Sequence, residues 1–158
     1  MEEWTAYHEA GHALMATLLG GSVHHVTIEP DNDDGPARYG DTLVSWPGFR
    51  DSKTLLQAEI LVLLSGPIAE MLYRGEPLHP GFVPEWAEDW RQAWERAGTF
   101  VAEPQRRLRQ MEQWLKQLYQ EFDRPPFWAA VAALADELLA HETLDQEMVE
   151  ETVAQWSF

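Results

Sequence analysis

The chain contains no cysteine. Disulfides are excluded, and any zinc has to be held by histidine, aspartate or glutamate. Basic residues are also scarce: 11 lysines and arginines stand against 27 aspartates and glutamates, a formal charge of -16. Phosphate backbones and anionic membrane surfaces select the opposite sign, so neither a nucleic-acid partner nor a charged membrane surface is expected. No unbroken apolar run reaches the roughly 20 residues that cross a bilayer, so no membrane span is expected either. The opening Met1-Glu2-Glu3-Trp4 is acidic where a secretory leader would be basic. A soluble, cytoplasmic protein is the resulting expectation. The 158 residues, 45% of them apolar, suffice for a single core, and the chain is read as one domain, 1–158.

What is present is concentrated in Tyr7-His8-Glu9-Ala10-Gly11-His12-Ala13, which holds an H-E-x-x-H. Residues four apart on a helix share a face, so His8 and His12 can both aim a ring nitrogen at one ion. Glu9 is rotated one position around the axis, where its carboxylate can serve as a base beside the ion instead of binding it. Two histidines and such a base are the ligand pattern of a zinc hydrolase. The motif also arises by chance, and two helical histidines are more commonly surface or core residues, so the flanks matter. An apolar stripe of Tyr7, Leu14 and Leu18 runs beside the two histidines, and Gly20-Gly21 ends the helix after about four turns. Gly11 leaves room for another segment to approach closely.

The β-branched stretch from Ser22 to Glu29 reads as a strand. His24 and His25 within it are taken as ordinary strand residues, because no glycine or histidine stands at the offsets that would extend the metal motif from His12. Asp31 to Pro36 reads as a solvated turn, since its acids lack calcium-loop spacing. Ala37 to Trp46 reads as a second strand, giving a small hairpin whose edge could hold an extended peptide. A helix capped by Asp51 or Ser52 is apolar nearly all round, which predicts a buried central position. Gly66-Pro67 predicts a kink or break before it continues to Gly75. Glu70 is a carboxylate on that apolar helix and needs a partner if buried. From Pro84 or Glu85 a helix carries Trp86, Trp90 and Trp94, a spacing that favours a core face.

Three further helices follow. One opens at Pro104, with Leu108, Met111, Leu115, Leu118 and Phe122 inward. The next follows Pro125-Pro126, with Phe127, Val131, Leu134, Leu138 and Leu139 inward. The last starts at a capping box, Thr143 to Gln146, and carries Met148, Val149, Val153 and Trp156. The predicted fold is mainly α (α+β): a bundle of about six helices with a small hairpin after the H-E-x-x-H helix. A metal-site half, 1–100, precedes C-terminal helices at 101–158. On spacing alone Glu70, Glu85, Glu88 and Asp89 are all open as a third metal ligand, and Glu85 with Asp89 also fits an E-x-x-x-D pattern, in which the glutamate ligates and the aspartate orients a histidine.

These segments resemble the peptidase domain of FtsH-type AAA metalloproteases. A-Y-H-E-A-G-H-A-L is similar to the active-site helix of that family, and S-V-H-H-V-T-I-E-P to the strand after it. L-L-S-G-P-I-A-E-M-L-Y-R-G resembles its L-L-G-G-R-A-A-E-E-L-x-x-G helix, with Pro67 as a departure. E-D-W-R-Q-A resembles its N-D-L-x-x-A segment, with Glu88 in place of the asparagine. A-L-A-D-E-L-L-A-H-E-T-L-D-Q-E-M-V resembles its closing helices. The resemblance implies zinc held by His8, His12 and Asp89, ahead of Glu85 and Glu70, with Glu9 as catalytic base. It implies a metalloendopeptidase acting on polypeptide substrates. No G-x-x-x-x-G-K-[ST] loop is present, so ATP-driven unfolding would fall to a separate ATPase or unfoldase partner. The family forms ring-shaped homo-oligomers, but its ATPase module helps build them. The rival expectation is a catalytically silent zinc-binding helical interaction module, for which a retained Glu9 would serve no purpose.

Overall fold

Six α-helices and a small antiparallel sheet appear in the computed structural model, which describes residues 2–30, 41–49, 51–156 and 158. Helix α1 spans Glu2–Leu18, strand β1 Ser22–Thr27, strand β2 Asp41–Ser45 and helix α2 Ser52–Arg74. A single 3-10 turn, Pro80–Phe82, leads into helix α3, Pro84–Gly98. Helices α4, Pro104–Phe122, and α5, Pro125–His141, are followed by strand β3, Thr143–Asp145, and helix α6, Gln146–Ala154. The fold is mainly α with a small sheet, as expected. The turn expected at Asp31 to Pro36 and the start of the second strand at Ala37 lie outside the described residues.

The helix ends follow local chemistry. Asp51 caps α2, accepting from the Lys53 backbone N–H at 3.2 Å and from the Thr54 hydroxyl at 2.8 Å. Gly75 ends it with φ of 70°, a left-handed conformation that glycine adopts at no steric cost. Prolines fill the first position of α3, α4 and α5, where the missing N–H would have no helical partner.

Helix α2 departs from expectation in two ways. Of the kink or break expected at Gly66-Pro67 there is no break: the helix continues to Arg74, because only the one hydrogen bond to the Leu63 carbonyl is lost and the buried pair is held by packing. It is also long and apolar enough to cross a membrane by length and composition, with a mean hydropathy of 1.6 over its best window. Glutamate and polar residues break the apolar run in sequence without lowering that average enough. In the fold, 61% of that window is buried against protein.

Helix α1 packs chiefly on α2 and α5, and α2 also receives α3 and α4. Its approach to α2 is unusually close: a Cβ on Gly11 would lie 2.5 Å from the Ser65 carbonyl oxygen and 2.7 Å from the Ala69 Cβ. Leu14, Ile60, Leu64, Ile68, Trp86, Phe127 and Leu134 are fully enclosed around this crossing. Tyr7 stacks on Tyr73 at 4.0 Å and on Trp128 at 5.3 Å. Leu108 and Leu139, expected inward, are 39% and 37% exposed, and Leu18 of the α1 stripe is 40% exposed.

The sheet has the order β2-β1-β3, all antiparallel. Its third strand was not expected. Thr143 lies in that strand, opposite Thr27, and is not a helix cap; Asp145 caps α6 instead, accepting from the Met148 backbone N–H at 2.9 Å. Trp156 falls just beyond α6. A register irregularity between Val23 and His25 interrupts the alternation around His24, whose ring bonds the Ser45 hydroxyl at 2.7 Å. Strand β2 is an edge, with no second strand partner among the described residues.

Candidate metal centre

Helix α1 presents His8 and His12 one turn apart, with ring centroids 4.7 Å from each other. Helix α3 brings Asp89 over them. Asp89 Oδ2 lies 2.9 Å from His8 Nε2 and 3.3 Å from His12 Nε2. The three ligand atoms fall within 4.8 Å of one another, and each residue is at most 9% exposed.

The opposite ring nitrogens are already engaged. His8 Nδ1 donates to Glu70 Oε1 at 3.2 Å, and His12 Nδ1 donates to the Val62 carbonyl at 2.7 Å. Both partners come from α2 and hold the rings so that Nε2 faces the space shared with Asp89. Glu70 is held in turn by Arg74, whose Nη1 lies 3.0 Å from Oε2, and the Arg74 guanidinium rests 4.0 Å from the Trp4 ring centre. The Trp86 indole lies near Glu70 but outside strict hydrogen-bond geometry.

Gly66 supplies the seat for His12. A Cβ there would fall 2.3 Å from His12 Nε2 and 2.4 Å from Cε1, so only glycine admits the ring against α2. Glu9 is 5% exposed, and its Oε1 accepts the Thr42 hydroxyl of β2 at 2.8 Å.

Charge in this cluster is strongly coupled. Burial works against a charged His8, but hydrogen bonds to Asp89 and Glu70 more than offset it and push its pKa up to about 10. Burial raises Asp89, yet His12 and His8 hold it well below the usual carboxylate range. Glu70 is likewise lowered: burial raises it, but His8, Trp86 and Arg74 together outweigh that. Glu9 is raised by burial, against the pull of His12, His8 and Thr42.

The donor set fits zinc. Two imidazoles and a carboxylate are ordinary zinc ligands, and bonds of about 2.0–2.1 Å in a tetrahedron separate ligand atoms by roughly 3.3 Å. The contacts of 2.9 and 3.3 Å to Asp89 are close to that spacing.

Of the carboxylates open on sequence spacing, the structure gathers only Asp89 with both Nε2 atoms. Glu85 and Glu88 are exposed, and Glu88 pairs with Arg91. Glu70 meets His8 on its outward nitrogen. Of the tryptophan stripe, Trp86 is core. Trp90 and Trp94 line an open groove of about 500 Å³ with His79, Phe82 and Leu108. Sequence reasoning passed over Thr42, Arg74 and the role of Gly66. The Gly66-Pro67 pair was visible but read as an interruption; Thr42 carried no signal beyond its place in an alternating strand.

The Peptidase M50B-like family profile matches residues 4–69, the stretch from the first helix through most of α2. The chain is 44% identical over 70 residues to the ATP-dependent zinc metalloprotease FtsH 2 of Alkaliphilus metalliredigens, covering 43% of this chain and 10% of that protein. It is 43% identical over 70 residues to the ATP-dependent zinc metalloprotease FtsH of Caldicellulosiruptor bescii, with 43% and 11% covered. Against FtsH 4 of Sorangium cellulosum the identity is 37% over 103 residues, 63% of this chain and 15% of the relative. The chain therefore spans about a tenth to a seventh of the length of these relatives. These similarities support an FtsH-like peptidase domain.

Proposed function

We propose that this domain is a zinc-dependent metalloendopeptidase acting on extended polypeptide. The observation that carries the reading is the convergence of His8 Nε2, His12 Nε2 and Asp89 Oδ2 in a buried cluster, with Glu9 one residue away. His8, His12 and Asp89 would hold the ion. Zinc, when bound, supplies Lewis acidity that makes water nucleophilic near neutral pH and polarises a carbonyl.

The chain's own residues do the rest. Glu9 accepts a proton from the attacking water as the new C–O bond forms. It returns that proton to the amine nitrogen as the C–N bond breaks. Glu70 and the Val62 carbonyl keep both imidazoles in the ligating tautomer. The edge of β2, which has no second strand partner among the described residues and lies beside Glu9, would offer main-chain hydrogen bonds to an extended peptide.

The relatives' names carry ATP dependence, but nothing in this chain resembles a phosphate-binding loop. Unfolding of folded substrates would need an ATPase module outside these 158 residues, while casein and short peptides would not need one. The experiment is hydrolysis of casein with and without a chelator, on wild type and Glu9→Gln. Wild type is expected to cleave only with metal. Glu9→Gln should keep zinc and lose about 10²- to 10⁴-fold in rate. Zinc-loaded wild type that cleaves nothing would favour the silent interaction module and overturn the proposal.

A further inference from the structure

The hydrogen bond between Thr42 and Glu9 joins two elements that the proposed chemistry needs at once. Glu9 is on α1, in the helix that carries both imidazoles; Thr42 is on β2, the edge strand of the sheet. Thr42 pairs with Val26 in the ladder, which turns its side chain to α1. Threonine is β-branched and stiff about χ1, so in a strand its hydroxyl is held in place instead of sweeping an arc. The carboxylate it meets is almost wholly buried, where an acceptor without a donor is costly.

We propose that Thr42 is a positioning residue for the base: its hydroxyl locks the Glu9 carboxylate through Oε1, so that Oε2 faces the reacting water, and it ties that orientation to the strand on which an extended peptide would lie. This rests on the peptidase reading above. A peptide added to the edge of β2 that has no strand partner among the described residues would run beside the strand that holds the base, so substrate alignment and base alignment share one rigid support. Glutamate has three side-chain torsions, and misplacing a catalytic group by about 1 Å costs on the order of 10²-fold in rate. A bond whose only effect is to fasten the sheet to α1 would instead act on stability and leave turnover alone.

The test compares Thr42→Val, Thr42→Ser and Glu9→Gln with wild type, using a fluorogenic casein-derived peptide, zinc content per chain and thermal unfolding. Valine keeps the shape of threonine and removes the donor; serine restores it. Thr42→Val is expected to lose about 10- to 100-fold in kcat with KM within about twofold, and to keep zinc at the wild-type level. Thr42→Ser is expected to recover most of kcat. Unchanged kcat in Thr42→Val, beside an active wild type and an inactive Glu9→Gln, overturns this inference and leaves the peptidase reading standing. A kcat loss that follows a fall in zinc content or unfolding temperature, unrescued by serine, also overturns it, because the bond is then structural. Wild type that neither holds zinc nor cleaves the peptide overturns both readings.

Discussion

His8 is engaged on both ring nitrogens. It meets Asp89 on one nitrogen and Glu70 on the other, while Arg74 steadies Glu70 from beyond. The roles of Asp89 and Glu70 follow from which nitrogen each reaches. Asp89→Asn is expected to cut zinc affinity severely, whereas Glu85→Gln, at an exposed position, should leave it unchanged; zinc titration with a competing chelator separates them. Glu70→Ala is expected to weaken zinc binding by about 10- to 100-fold without abolishing it, the size typical of a partner that orients a ligand. The sequence placed His8 and His12 on one helical face with Glu9 beside them, because a four-residue helical spacing is local. It left Glu70, Glu85, Glu88 and Asp89 open, because which of the four acids arrives over the histidines depends on how α3 and α2 cross α1. Spacing alone does not encode that crossing.

At the scale of elements, the centre depends on how closely α1 and α2 approach. Gly11 and Gly66 are the two points where a side chain would collide, with the Ser65 carbonyl and with the His12 ring respectively. Gly66→Ala is expected to destabilise the fold by about 1–3 kcal/mol, as overpacked sites do, and to lower zinc content. Gly48→Ala, where nothing lies within 4 Å of the added carbon, is the control. Urea unfolding and zinc content of the two variants decide the matter. The helices were legible from apolar periodicity, caps and prolines: Asp51, Gly75, Pro84, Pro104 and Pro125 mark ends that the structure keeps. Continuity through Pro67 was not, because the packing that holds the helix together at that point is tertiary. Strand β3 was not legible for a similar reason. Thr143 to Asp145 is too short to show alternation, and it becomes a strand only by pairing with β1.

At the scale of the whole molecule, metal held at this centre would couple to the fold and to pH. A ligand bound at 100 times its dissociation constant adds about 2.7 kcal/mol to stability, and a domain of this size moves by about 2–4 °C per kcal/mol. Chelation is therefore expected to lower the unfolding temperature by roughly 5–10 °C, read by calorimetry. The sign with pH follows from His8. Its folded pKa, about 10 without metal, lies above the ordinary 6.5. In the metal-free protein the His8 pairing is thus fully stabilising below about pH 6.5 and is lost as pH rises through about 10. The depressed Asp89, which is the same interaction seen from its partner, loses its contribution as pH falls below the carboxylate range. Zinc bound by His8 would have to displace the proton on its ligating nitrogen, so zinc affinity is expected to rise by about tenfold per pH unit between pH 6 and 8 for each proton released. The zinc-dependent gain in unfolding temperature should grow over the same interval. A gain that shrinks with rising pH would contradict the assignment of His8 as a ligand.

The most direct measurement is an anomalous-difference map collected at the zinc absorption edge from crystals of the zinc-loaded protein. The account predicts one strong peak per chain, bonded to His8 Nε2, His12 Nε2 and the Asp89 carboxylate, with Glu9 alongside but outside bonding distance. A peak ligated by Glu70 or Glu85 in place of Asp89, or no peak between the two imidazoles, would contradict it.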